Sequence, residues 1–94
     1  MTNQIKRYYC IAQGRVQGVG FRGRCMMLAR ELGLTGSVKN LDNGMVEIYI
    51  QGNPIQLQTF LDRLQQPDTW IRIDNLSSKS VDIIPQEKEF TYHW

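Results

Sequence analysis

The stretch GRVQGVGFRG, from Gly14 to Gly23, concentrates four glycines and two arginines in ten residues, with Arg24 directly after it. It lies between YYCIA, which reads as a strand, and CMMLARELG, which reads as a helix. Glycine lets backbone N–H groups curve closely around an anion, and a helix N-terminus adds unpaired N–H groups and a partial positive charge. Arginine supplies a planar, permanently charged fork matched to phosphate oxygens. Gly14, Gly18 and Gly20, with Arg22 at the end of the loop, therefore point to phosphate binding. The plainer alternative for Arg22 is a solvated first-turn residue, but its place immediately after the loop favours the binding reading.

Three familiar phosphate chemistries do not match. A nucleotide-hydrolase loop needs GxxxxGK[ST], and no Lys-Ser/Thr pair follows the second glycine here. Gly18-Val19-Gly20-Phe21-Arg22-Gly23 does match GxGxxG, and Asp42 lies near the usual ribose-contact spacing. The following strand, however, turns straight into a hairpin instead of another βα unit. A cysteine phosphatase wants C-x5-R, whereas Cys10 and Cys25 are each followed by arginine (Arg15, Arg30) one residue too early. Cys25 also falls on an apolar stripe and reads as a small core residue.

The elements that must carry this loop follow from periodicity. Residues 7–13 read as a strand ending at Gly14. Cys25, Leu28, Ala29 and Leu32 repeat at i, i+3, i+4, i+7, one stripe of a helix that Gly33 stops. Asn43-Gly44 predicts a tight turn with both residues at positive φ, pairing 36–42 with 45–51. Asn53 as cap, Pro54 at the first position and Gln56 three residues after the cap open a second helix. Leu57, Phe60, Leu61 and Leu64 are its apolar stripe, and it stops before Pro67. Ile71, Ile73, Val81 and Ile83 suggest an irregular fourth strand, and EFTYHW a short fifth. Two one-faced helices can bury both stripes on one face of an antiparallel sheet. The expected fold is α+β: a ferredoxin-like βαββαβ sandwich, both helices on one face, with a short extra C-terminal edge strand.

Ninety-four residues fit one domain, 1–94, and a hydrophobic content of 41% suits a globular chain. No apolar run is long enough for a membrane span, and MTNQIKRYY does not read as a signal peptide. Residues 1–40 carry seven Lys/Arg against one acid, Glu31, while 41–94 carry four against eight, so positive charge gathers in the half that holds the loop. With Cys10, Cys25 and His93 the only cysteines and histidine, a zinc site is not expected. Two buried, reduced thiols in a cytoplasmic protein is the favoured reading. His93, amid aromatics in the last strand, reads as an edge residue rather than a general base.

At GRVQGVGFR the chain closely resembles the acylphosphatase family, and GSVKNLDNGMVEIYIQG (Gly36–Gly52) is similar to that family's second signature, G-aromatic-x-x-N-x-x-x-G-x-V-x5-G. The resemblance covers essentially the whole chain. It implies hydrolysis of acyl phosphates to carboxylate and inorganic phosphate, with no metal, no cofactor and no phosphoenzyme. It places the phosphate-binding arginine at Arg22 and the water-positioning asparagine at Asn40. The loop amides that bind phosphate fall on Arg15, Val16, Gln17, Gly18, Val19, Gly20 and Phe21. The implied partner is a small-molecule acyl phosphate; the chain itself reads as a monomer with no nucleic-acid or membrane partner. The charge on the loop predicts affinity for the phosphoryl end, with the acyl group projecting outward and read weakly. The chain departs from the family at Ser37 (usually aromatic), Cys25 (often threonine) and Ala12 (usually a larger aliphatic).

Two rivals belong to other classes. RNA-recognition domains share the βαββαβ order, and Tyr8, Tyr9 and Tyr49 offer surfaces for base stacking, though the aromatic-rich RNA motif is missing. A regulatory domain could instead hold a small anion without turning it over.

Overall fold

A computed structural model describes residues 4–93. The elements run β1 (Lys6–Arg15), α1 (Phe21–Glu31), β2 (Thr35–Asn40), β3 (Val46–Gly52), α2 (Pro54–Leu64), β4 (Arg72–Val81) and β5 (Phe90–His93). They form one five-stranded sheet in the order β4-β1-β3-β2-β5. The first four strands pair antiparallel, as the split βαβ arrangement requires. β5 differs: it runs parallel to β2, so the complete sheet is mixed rather than antiparallel. Trp94, part of the expected fifth strand, lies outside the described residues.

Alternation along the strands decides the two faces. Cys10 and Ala12 of β1, Val38 of β2, and Val46, Ile48 and Ile50 of β3 are buried on the helix side. Phe21, Cys25, Leu28 and Ala29 of α1 and Leu57, Phe60 and Leu64 of α2 complete this core. The two predicted stripes thus do the packing, with Leu32 and Leu61 half-buried at its rim. The three departures are absorbed locally. Ala12 and Cys25 fill core positions, and Ser37 pairs with Tyr49 on the face without helices.

Two turns show why local sequence was read only in part. Gly33, at φ 70, ends α1, with its N–H on Arg30 O and the Leu34 N–H on Ala29 O. The β2–β3 turn is wider than expected. Leu41 N–H donates to Met45 O and Gly44 N–H to Leu41 O, and only Gly44 (φ 89) takes the left-handed conformation. Asn43 does not; its Oδ1 accepts the Met45 N–H instead. This is a three-residue loop with glycine at its left-handed position, the next most common hairpin solution.

The connection from β4 to β5 crosses from one edge of the sheet to the other, and a buried network holds it. Arg7, 5% exposed, donates to Gln51 Oε1 (3.2 Å) and Glu87 Oε1 (2.8 Å). Gln51 accepts the Ile84 N–H and returns its Nε2 to Ile84 O, both at 2.9 Å. A charge this buried is tolerated because it is paired and hydrogen-bonded. Its consequence is positional: β5 is delivered to the side of β2.

Candidate active site

The loop between β1 and α1 lies where the sheet ends. β1 finishes at Arg15, paired with Arg72, and Gly14 sits at a register shift against β4. A Cβ at Gly14 would fall 2.1 Å from Arg72 O, so this glycine serves strand packing, not ligand approach. Gly18 (φ 74) and Gly20 (φ 84) are different. A side chain there would meet nothing within 4 Å, so it is the left-handed backbone that demands glycine. Val16 and Phe21 are buried in the core and Val19 packs against it, which pins the loop from below. Their contribution to a ligand is therefore confined to the backbone. Gly23 lies within α1, so the third glycine of the GxGxxG match makes no loop.

α1 opens at Gly20 with no side-chain cap and no acid in its first turn. Among the described residues, the backbone N–H groups of Gln17 through Phe21 donate to no backbone or side-chain acceptor. Donors at a helix start that lack an internal partner favour an anion.

Gln17 does more than its backbone suggests. Its Nε2 donates to Leu41 O (2.7 Å) and Met45 O (2.9 Å), tying the loop to the β2–β3 turn. That turn begins one residue after Asn40. Ala12, Val46 and Asn40 form one cross-strand row at this end of the sheet, with side chains on the helix side. Among the described residues, Asn40 Oδ1 is the only buried side-chain polar atom without a hydrogen-bond partner. Such an atom carries a desolvation cost until something donates to it.

Arg22 reaches the same neighbourhood from α1. Its Nη1 donates to His93 O at 2.6 Å, and its guanidinium lies 4.5 Å over the Tyr92 ring. His93 pairs with Lys39, the residue before Asn40. Helix, loop, β2 and β5 therefore bring Arg22, Asn40 and the Val16–Phe21 amides together. The side chain of Arg15 goes elsewhere: it is exposed and lines a cleft of about 420 Å³ formed largely by residues 64–73. The roles of Gln17 as a tether and of Tyr92 and the His93 carbonyl as a seat for Arg22 were missed in the sequence. Nothing local signals them, because each depends on a contact across more than twenty residues.

Neither cysteine offers a nucleophile. Both are free and buried; burial pushes the Cys10 thiol up to about 11 and the Cys25 thiol higher still. The three tyrosines available for base stacking do not share one face. Tyr8 packs against the helix-side core, while Tyr9 lies on the opposite face. There Tyr9 meets Tyr49 at a tilt of 53° (centroids 4.8 Å apart), with Lys79 over its ring and its hydroxyl donating to Glu47 Oε1. Burial, then the Glu47 bond, raises its pKa.

Comparison with known proteins identifies the family and the fold. Residues 8–92 match the family described as acylphosphatase. A relative named acylphosphatase from Geobacillus kaustophilus is 41% identical over 86 residues, covering 92% of each chain. The crystal structure of acylphosphatase from Bacillus subtilis superposes with a TM-score of 0.88 at 32% identity, covering 97% of this chain and all of that one. A structure of an acylphosphatase from Coxiella burnetii gives 0.86 at 27% identity, over 95% and 93% of the two chains.

Proposed function

The chain belongs to the acylphosphatase family and is an enzyme of that kind, and from that premise we propose how it hydrolyses acyl phosphates. The phosphoryl group sits at the start of α1, its oxygens held by the backbone N–H groups of Arg15 through Phe21 and by the Arg22 guanidinium. Arg22 is steadied for this by the His93 carbonyl and the Tyr92 ring. The observation that carries the reading is the buried, unpartnered Asn40 Oδ1 at the same end of the sheet. A water donating one hydrogen to it has its lone pair aimed at the bound phosphorus.

The bond changes balance without further groups. Water oxygen attacks phosphorus, the P–O bond to the acyl group breaks, and its electron pair leaves on the carboxylate. A carboxylate is a stable leaving group, so no general acid is required. Asn40 is not basic enough to take the water proton, which passes to a phosphate oxygen. Catalysis then consists of positioning and of stabilising charge on the peripheral oxygens, the contributions that dominate a loose phosphoryl-transfer transition state. The reaction is metal-independent and forms no phosphoenzyme.

The test is phosphate release from acetyl phosphate or benzoyl phosphate in the presence of EDTA. Release at background rate would sink the enzyme reading in favour of a domain that only binds a small anion. The same proposal takes the protein as a monomer and, because its two free, buried thiols suit a reducing compartment, as cytoplasmic. Light scattering that returned a multiple of the single-chain mass would correct the monomer.

A further inference from the structure

A groove of about 330 Å³ starts at the loop residues Val19 and Gly20 and runs along α1 to the segment joining α2 to β4. Its apolar lining is Val19, Met27, Leu28, Trp70 and Ile71. Trp70 is 67% exposed and Met27 58%, two large apolar side chains in solvent beside a loop that binds an anion. The segment that carries Trp70 is held in place. Asp68 Oδ1 accepts the N–H groups of Trp70 (2.8 Å) and Ile71 (3.0 Å), and its Oδ2 meets Arg24 Nη1 at 3.3 Å. Those two N–H bonds, Ile71's first, keep the Asp68 carboxyl below its ordinary pKa, so the tie is charged at neutral pH. Arg24 also donates to Arg63 O at 2.7 Å.

Arg22 and Arg24 stand two residues apart on α1 and therefore on opposite sides of it. Arg22 leans toward β5, beside Asn40 on β2; Arg24 leans toward the segment that enters β4, the other edge of the sheet. Both ends lie at the loop end of the sheet: Arg72 pairs with Arg15, the last residue of β1, and Asn40 shares a row with Ala12, three residues before it. In phosphoryl transfer the attacking and leaving oxygens lie roughly in line through phosphorus. Water arriving from the Asn40 side thus directs the leaving group away from β2, toward the groove.

We infer that this groove seats the acyl portion of the substrate, with Trp70 and Met27 favouring an aromatic or bulky apolar acyl group over acetyl. The inference rests on the acyl-phosphate reading above and replaces the sequence-based expectation of an acyl group read weakly in solvent.

The experiment measures kcat/KM for benzoyl phosphate and acetyl phosphate in the wild-type protein and in Trp70→Ala. The benzoyl-to-acetyl ratio is expected to fall by about three- to tenfold, the size of one aromatic contact. Comparing a ratio between variants cancels the intrinsic reactivity of the two substrates. The loss appears in KM more than in kcat, because the seat binds ground and transition states alike. Trp70→Phe restores most of the ratio, and Met27→Ala lowers it less than Trp70→Ala does. An unchanged ratio in Trp70→Ala, or an equal loss on both substrates, overturns the acyl seat while leaving the enzyme reading intact. Failure of the wild-type protein to hydrolyse either substrate instead overturns the enzyme reading, and the seat with it.

Discussion

The two helices are each eleven residues long and bury similar apolar stripes, yet they begin in opposite ways. α2 closes its own start: Asn53 Oδ1 accepts the Gln56 N–H at 3.0 Å, and Pro54 removes a donor that would have no partner. α1 begins at a left-handed glycine, has no capping side chain and no acid, and carries Arg22 in its first turn. A helix whose only task is packing satisfies its first N–H groups within a few residues of sequence. On the proposed reading α1 leaves them for an anion, and other elements must keep the loop in shape. Here Val16, Val19 and Phe21 from below and Gln17 from the side do so.

The contrast can be tested by substitution at each start. The largest effect is expected for Arg22→Ala, which should lower kcat/KM for benzoyl phosphate by about a thousandfold or more and abolish competitive inhibition by inorganic phosphate. Asn40→Ala should lower kcat by about a hundredfold while phosphate still inhibits competitively. Retention of most of kcat would remove Asn40 from its water-positioning role. At α2 the outcome inverts: Asn53→Ala should cost about 1 kcal/mol of stability in denaturant unfolding and leave kcat/KM as it was. A rate loss there would mean that the two helix starts are not functionally separate.

The effect that is smallest at neutral pH concerns the core on which α1 rests, where Cys25 of the helix and Cys10 of β1 are buried. Burial raises both thiol pKa values, Cys10 to about 11. A raised folded-state pKa means that this contribution to stability is complete below the ordinary thiol range, about 8.5, and is lost as pH rises beyond it. The melting temperature of the wild-type protein should therefore fall more steeply between roughly pH 8.5 and 11 than that of Cys10→Ala. Parallel pH profiles in calorimetry would show that the thiol does not titrate differently on unfolding.

Much of the fold was legible because it is written in short-range patterns. The stripe Leu57, Phe60, Leu61 and Leu64 and the alternation of Val46, Ile48 and Ile50 each select a period and a face without reference to anything distant. Glycines 18 and 20 were legible for the same reason, since a left-handed residue is a local demand. The hairpin at Asn43-Gly44 was read one residue too tight, because two- and three-residue loops draw on the same amino acids. Tyr8 and Tyr9, both available for base stacking by residue type, face opposite sides, as adjacent strand residues do.

By itself the sequence determined the elements, their buried faces, the backbone of the loop and the self-contained start of α2, since each rests on interactions within about one turn of helix or one strand repeat. Only the tertiary structure decided that β5 pairs parallel to β2 and carries the carbonyl that seats Arg22, that Gln17 ties the loop to the far turn, and that Arg24 holds Trp70 beside the loop. Those contacts join residues twenty-four to seventy-one positions apart. Side chains of Arg22, Arg24 and Gln17 have the same local propensities whichever partner they reach, so the partner is settled by where the sheet and helices carry them.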